Sequence, residues 1–409
     1  MKYRRIAVIS YHTCPLSDSE GGETGGMNVY VLELCKQLAK IGYIIDIYTR
    51  SQNKNSEKTV NVQRNLRVIH IIGGKEESIE KNKLIDLIPD FSKNLCGFID
   101  QNKIVYDLIY SHYYLSGIIG LKIRGKYNLP LFVTFHTLAI MKNLVARDGS
   151  EREDIRRIES ELLLTKKAEK IIATSALDAK YLTTLYSCPK RKIDILTPGV
   201  NLKVFNPKDK IVSKEIIGAK KNHRLILFVG RIEPLKAIDV LLYAMKILLE
   251  NNPKMRLCLW ILGGDTRGKT EGWSRELKRL EKLRKLLDIA TEVTFVGRKR
   301  QNQLPDYYNA SEIIILPSHY ESFGIVALEG MACGVPVITT DTTGIAGFFD
   351  KKYPSLITPA NNPLLLAEKI KHLLTNESEY SHISREVLLD ASNLTWENIA
   401  EKFIKILEA

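Results

Sequence analysis

No apolar run in this 409-residue chain approaches the roughly 20 residues needed to cross a bilayer, which excludes a membrane-spanning reading. The opening stretch "MKYRRIAVISYHT" does set basic residues before an apolar run, as a secretory leader would, but that run covers only Ile6 to Ile9 and reads better as a first β-strand. Cysteine is scarce: the six residues Cys14, Cys35, Cys96, Cys188, Cys258 and Cys333 include no C-x-x-C pair. This argues against a zinc knuckle and a disulfide framework, and it fits a reducing, cytoplasmic location. No Asp-x-Asp occupies a strand-end loop and no His/Asp cluster suggests metal ligands, so no metal site is expected. Also missing are a Walker loop, a strict G-x-G-x-x-G and the basic–aromatic interleaving of nucleic-acid binders, so nucleic acid is not an expected partner.

What is present is ordinary globular material, 44% hydrophobic and 26% charged, in a chain too long for one comfortable core. Two domains are the first expectation. The net charge of +13 favours an anionic partner: a phosphorylated substrate, or an anionic membrane touched peripherally.

Apolar, β-rich runs alternate with amphipathic helical stretches. The first half holds "RRIAVIS", "YIIDIYT", "LRVIHII", "LIYSH", "LPLFVTFH" and "KIIATS"; from about Leu225 the pattern restarts with "LILFVGR", "RLCLWILGG", "EVTFVGR", "EIIILPS" and "VPVITTD". The alternation predicts an α/β protein with two doubly wound parallel sheets covered by helices on both faces. Expected boundaries are 1–205 and 206–385, joined near "PGVNLKVFNPKDK", with 386–409 as a C-terminal helical segment. Ligands of such sheets bind at the carboxyl ends of strands, so the expected site is a deep cleft between the two domains. His12, Gly25 and Gly26 follow the first strand; His112, Tyr113, His136 and Thr137 follow later ones; Arg231, Gly263 and Glu321 do so in the second half.

Three stretches carry chemistry. "DSEGGETGGMNVY" places Gly21, Gly22, Gly25 and Gly26 before a helix starting around Met27, where bare backbone and unpaired N–H groups suit a phosphate; a flexible strand-to-helix turn is the plainer reading. "FVGRIEPLK" puts Arg231 directly after a strand and Lys236 at a helix entrance, a pair able to clamp a diphosphate, although exposed charge is the commoner fate of such residues. "YESFGIVALEG" sets Glu321 before a helix expected over about Phe323 to Cys333 and Glu329 within it, with Gly324 and Ile325 offering N–H groups at the helix start. A solvated mid-helix acid would not explain Glu329, because its neighbours are apolar and an unpaired charge there is costly.

Together "HYESFGIVALEGMACGVPVI", "VGRIEPLK" and "ETGGMNVY" resemble the retaining GT-B glycosyltransferases of family 4, and the resemblance covers nearly the whole chain. It implies two Rossmann-like domains and a nucleotide-sugar donor, such as UDP-GlcNAc or UDP-glucose, as co-substrate with no cofactor required. By this resemblance Glu329 binds the donor ribose, and Arg231 and Lys236 hold the diphosphate. Glu321 orients the transferred sugar with the backbone of Phe323, Gly324 and Ile325. Gly25 and Gly26 add backbone contacts to the phosphates, Gly263 lines the donor site, and the loop at Arg298 lies against the base. His136 touches an outer hydroxyl of the donor sugar or supports charge near the reacting centre.

Within the family, "HTCPLSDSEGGETGGMNVYVLELCKQLAK", "YSHYYLSG" and "HTLAIMKN" resemble the mycothiol-pathway group, which transfers N-acetylglucosamine to inositol phosphate; sucrose-phosphate synthases are the close competitor. That pattern implies an acceptor-phosphate pocket at Lys81, Tyr113, Thr137 and Arg156, with Asn28 on the acceptor ring. It also implies a metal-independent, same-face mechanism with Arg231, Lys236, His136 and Glu321 as the catalytic group. Transfer to fructose 6-phosphate, a lipid or glycan acceptor, a nucleotide-sugar epimerase and a non-catalytic binding module stay open, and a homodimer fits the subfamily. The tail "LTWENIAEKFIKILEA" is expected to be an amphipathic helix with Trp396, Ile399, Phe403 and Leu407 on one face, packed back across the hinge or laid on a membrane.

Overall fold

The computed structural model describes residues 4–17, 25–266 and 270–408. They form two compact units: residues up to 144, 152–198 and from 396 onward make the first; 145–151 and 199–395 make the second. The passage between them at 198/199 opens the "PGVNLKVFNPKDK" segment, and the expected last stretch is two separate helices, Glu377–Ser392 in the second unit and Trp396–Glu408 in the first.

The first unit is built on an eight-stranded sheet of β1 (Arg5–Ile9), β2 (Ile44–Arg50), β3 (Thr59–Gln63), β4 (Leu66–Ile71), β5 (Leu108–His112), β6 (Leu131–Thr134), β7 (Lys170–Ala173) and β8 (Ile193–Ile195), in the order β3-β4-β2-β1-β5-β6-β7-β8. The central strands are continuous apolar runs because helices cover both faces and leave neither to water. One edge departs from the all-parallel expectation: β3 pairs antiparallel with β4. A two-residue connection, with Asn65 in the left-handed region (φ 66°), closes that hairpin, and the alternating "TVNVQ" suits a half-covered edge.

The second unit carries β9 (Arg224–Val229), β10 (Leu257–Leu262), β11 (Val293–Gly297), β12 (Ile313–Leu316), β13 (Val337–Thr340) and β14 (Ile357–Thr358), all parallel, in the order β11-β10-β9-β12-β13-β14. Its core interleaves sheet residues such as Phe228, Ile261 and Ile314 with Leu241, Leu328 and Ile370 of the flanking helices. Side-chain caps start several helices: Asp154 accepts from Arg156 N, Ser175 from Asp178 N and Ser274 from Leu277 N.

In each sheet the strand order reverses beside the first strand of its unit, between β1 and β5 and between β9 and β12. Neighbouring strand ends there feed loops that diverge to opposite faces, leaving a crevice in which side chains and helix starts converge. The helix Trp396–Glu408 buries Trp396, Ile399, Phe403 and Leu407 within the first unit. Phe403 stacks on Tyr110 at 5.0 Å and Trp396 meets the Tyr30 ring edge-on at 5.6 Å, so the apolar face foreseen from the sequence is occupied by protein.

Candidate functional site

In the second unit, the loops after β9 and β12 meet at the strand-order reversal. The first carries Arg231 and the 3-10 turn Pro234–Lys236; the second carries Glu321. His319 N donates to Leu235 O at 2.9 Å, and the Lys236 ammonium makes a short ion pair with the Glu321 carboxylate, joining residues 85 apart in sequence. Gly344 N donates to Glu321 O and Ile345 N to Phe323 O, both at 2.9 Å, so the "ESF" backbone is fixed from the loop after β13. Arg231 lies beside Glu233, with 2.7 Å between guanidinium and carboxylate.

Gly324 caps the helix Ile325–Ala332 at φ 103°, a conformation that costs a side-chain-bearing residue strain. The helix is therefore shorter at both ends than the Phe323 to Cys333 expected. Gly263 has a packing reason of its own: a Cβ there would lie 1.8 Å from the Gly230 carbonyl oxygen. Arg298 follows β11 and is exposed.

Glu329 is buried at 4% exposure, yet it is partnered. Tyr308 Oη donates to one carboxylate oxygen at 2.6 Å, while the other has a longer contact from Gln301 Nε2 at 3.4 Å. Burial pushes the carboxyl up to about 7, against the pull of these two donors. Tyr308 and Gln301 had no signal in the sequence beyond being polar residues in the preceding helical stretch.

In the first unit, the helix Gly26–Ile41 starts behind Gly25, which is extended and makes no side-chain cap; among the described residues a Cβ at Gly25 would meet nothing within 4 Å. The first turn holds no acidic residue, so no side chain of that turn sets a negative charge against its N–H groups and dipole. Gly21 and Gly22 lie outside the described residues. Asn28 is buried and donates to Thr13 Oγ1 at 3.0 Å and Cys14 O at 3.1 Å, while its Oδ1 has no hydrogen-bond partner among the described residues.

Two residues at strand ends hold unusual backbone. Tyr113, just after β5, has φ 77° and ψ 157°, a region used almost only by glycine, and His136, just after β6, has φ 62°. Such conformations cost roughly 1–3 kcal/mol each and gather at binding and catalytic sites. His136 Nε2 lies 3.0 Å from His112 Nδ1. Burial lowers His136 to about 3 and, together with His136, holds His112 well below its usual value, so both rings are neutral at pH 7. A neutral imidazole offers a hydrogen bond, which both roles expected of His136, contact with a sugar hydroxyl and support of charge near the reacting centre, can use.

Around Tyr113 the structure brings together Lys81 and Thr137, two of the residues expected with it, but Arg157 in place of Arg156. Lys81 Nζ lies 4.5 Å from the centre of the Tyr113 ring, and Arg157 lies 4.8 Å from it on the same residue. Arg157 Nη2 donates to Thr137 O at 2.9 Å and Thr137 Oγ1 at 3.0 Å. Arg156, the residue expected there, instead pairs with Asp154 and Asp86 at the surface, 46% exposed. One step along the helix Ile155–Lys167 turns a side chain by about 100° at 3.6 residues per turn. Arg157 therefore faces the sheet where its neighbour faces water.

The buried Arg157 is compensated by Glu161, whose Oε1 lies 2.8 Å from Arg157 Nε and whose Oε2 accepts from Tyr186 Oη at 2.5 Å and Ala139 N at 2.9 Å. Glu153 Oε1 lies 2.9 Å from Arg157 Nη1 and also pairs with Lys142. The spacing of Glu153, Arg157 and Glu161 in "EREDIRRIESE" is the sequence signal that singles out Arg157 over Arg156.

Two family descriptions match the halves of the chain: Glycosyltransferase Family 4 over residues 24–204 and Glycosyl transferases group 1 over residues 209–387. The D-inositol 3-phosphate glycosyltransferase of Mycobacteroides abscessus is 34% identical over 412 residues, covering 99% of this chain and 89% of that protein; its namesake from Rhodococcus erythropolis is 33% identical over 410 residues, covering 98% and 90%. Among solved structures, a sucrose-phosphate synthase from Thermosynechococcus elongatus matches with a TM-score of 0.88 at 28% identity, over 99% of this chain and 98% of that one. An Anabaena protein in complex with UDP and glucose shares the fold, with a TM-score of 0.76 at 16% identity over 99% of both chains. Two wound α/β units, both family matches and near-complete coverage by these relatives lead to one assignment: the chain belongs to the GT-B glycosyltransferases of family 4.

Proposed function

We propose that this glycosyltransferase moves a sugar from a UDP-sugar to a small phosphorylated acceptor, an inositol phosphate or a sugar phosphate, with retention of configuration. The single observation that carries the acceptor side is the convergence of Lys81, Arg157, Thr137 and Tyr113 in the first unit. Two cations with two hydroxyls in reach suit a phosphate monoester, charge from the former and direction from the latter. Asn28, whose Oδ1 has no partner among the described residues, takes a ring hydroxyl of the acceptor.

On the donor side, Arg231 and Lys236 hold the diphosphate, the start of the helix Gly26–Ile41 contributes N–H groups of Gly26 and its neighbours, and Arg298 lies by the base. Glu329 accepts from the ribose hydroxyls, and Glu321 orients the transferred sugar with Phe323, Gly324 and Ile325. His136 contributes a neutral hydrogen bond to that sugar.

A double-displacement route needs a carboxylate free to attack. Glu321 is ion-paired to Lys236, which lowers its nucleophilicity and supports a same-face reaction instead. In that reaction the bond from the anomeric carbon to the diphosphate oxygen lengthens as negative charge builds on the leaving group, which Arg231 and Lys236 stabilise. The acceptor hydroxyl, passing its proton to that leaving oxygen, bonds to the same face of the sugar. No step needs a metal.

The structural likeness to sucrose-phosphate synthase gives a second acceptor reading, fructose 6-phosphate. Incubating the protein with UDP-GlcNAc, UDP-glucose and GDP-sugars against inositol 1-phosphate, fructose 6-phosphate and their unphosphorylated counterparts, with mass and anomeric analysis of products, tests the proposal. An α-linked product that forms only with a phosphorylated acceptor supports it; transfer only to unphosphorylated acceptors, or an inverted linkage, refutes it.

A further inference from the structure

The cluster of side chains around Arg157 contains a group that the proposed chemistry does not use. Glu153 stands just before Asp154, the residue that caps the helix Ile155–Lys167, and its carboxylate is shared between Lys142 and Arg157 Nη1. Lys81 acts electrostatically on both Glu153 and Lys142. Burial opposes the charge on Glu153, but Arg157, Lys142 and Lys81 outweigh it and hold the carboxyl at about 2, so it is ionised at every working pH. A carboxylate anion therefore already sits among these cations.

On the acceptor reading above, we infer that Glu153 is a built-in placeholder for the acceptor phosphate, released from Lys142 and Arg157 when the phosphate enters. Charge favours the exchange. Lys81, Lys142 and Arg157 face Glu153 and the fully buried Glu161, which leaves one net positive charge among these five groups, less than a phosphate dianion carries. With Glu153 turned away, two positive charges meet two negative ones. Glu161 cannot play this part, because it is anchored by Tyr186 and Ala139 N as well as by Arg157.

Glu153 can, because its backbone is pinned separately, with Glu153 N donating to Asn143 Oδ1 at 2.7 Å, and its side chain retains 20% exposure. Release is then a side-chain rotation toward water that leaves the helix cap in place. The consequence is selectivity. A neutral acceptor cannot displace the carboxylate, while a phosphorylated one replaces its two cation contacts and adds those of Lys81, Thr137 and Tyr113. It also assigns Lys142 as a phosphate ligand in the loaded state.

Titration calorimetry with inorganic phosphate on the full-length protein tests this. Glu153→Gln keeps the hydrogen-bonding shape and removes the charge; it is expected to bind phosphate at least about tenfold more tightly, since a unit charge at contact distance is worth that much even at high effective dielectric. Lys142→Met is expected to weaken binding by a similar factor. Lys81→Met examines the acceptor reading itself. If Lys81→Met weakens phosphate binding but Glu153→Gln leaves it equal or weaker, the placeholder idea is overturned and Glu153 merely orients Arg157. If phosphate binding is absent throughout or indifferent to Lys81, the acceptor reading falls and the placeholder falls with it. Should Glu153→Gln fold poorly, a crystal of the wild-type protein soaked in phosphate decides: the inference requires phosphate oxygens on Lys142 and Arg157 with Glu153 rotated out, and an unmoved Glu153 overturns it.

Discussion

Glu329 offers a prediction that can be worked from the structure. Its carboxyl is held at about 7 by burial, with Tyr308 on one oxygen and only a long contact from Gln301 on the other. If ribose hydroxyls donate to that carboxylate, they stabilise the ionised form, and binding pulls the group toward its ordinary value. At pH 6 a group titrating at about 7 is about nine-tenths protonated, so binding of a UDP-sugar, whose diphosphate has no proton to lose in this range, should release about 0.9 proton; at pH 8 the release should fall to about 0.1. Below pH 7 the apparent affinity for the UDP-sugar should drop about tenfold per pH unit, and above pH 8 it should level off. Calorimetry at each pH in buffers of different ionisation enthalpy measures the proton count directly. Glu329→Gln should abolish the pH-dependent release. A release that is the same at pH 6 and pH 8, or that survives in Glu329→Gln, would refute the ribose assignment.

Other outcomes follow from the same geometry. Lys236→Ala should lower kcat by about 10²–10³ while shifting the melting temperature little, because one preorganised cation at a developing charge is worth that much and its partner Glu321 is partly exposed; unchanged turnover at saturating donor counts against the clamp. Gly25→Ala should leave stability unchanged within about 0.5 kcal/mol, since none of the described residues lies within 4 Å of the added methyl and the backbone is extended. It should nonetheless raise KM for the donor, and an unaltered KM would mean that the turn is there only to turn. Trp396→Ala should destabilise the first unit by about 3–5 kcal/mol, because the indole is fully buried against Tyr30; a loss under about 1 kcal/mol in denaturant unfolding would show that the last helix is not part of that core.

The sheets were legible because parallel strands buried on both faces must read as apolar runs, and each run named in the sequence is a strand of the structure. The antiparallel edge β3 was not, because a half-covered strand of five residues carries little apolar signal. The strand-end position of Tyr113, His136 and Glu321 could be read directly, whereas the backbone strain at the first two could not, since neither is a glycine. Arg156 and Arg157 are indistinguishable by residue type; what separates them is the i, i+4 spacing of Glu153, Arg157 and Glu161 once the helix start at the Asp154 cap is known. The partners of Glu329 were invisible for a similar reason. An apolar neighbourhood announces that an acid is buried, but not that a tyrosine 21 residues earlier reaches it.

The central claim is that a pyrophosphate binds against Arg231 and Lys236 of the second unit with its ribose on Glu329. A crystal structure of the protein with UDP measures this most directly. The account predicts diphosphate oxygens within hydrogen-bond distance of both cations, the Lys236–Glu321 pair opened or shared, and a ribose hydroxyl on Glu329. UDP bound elsewhere, with Lys236 still closed on Glu321, would contradict it.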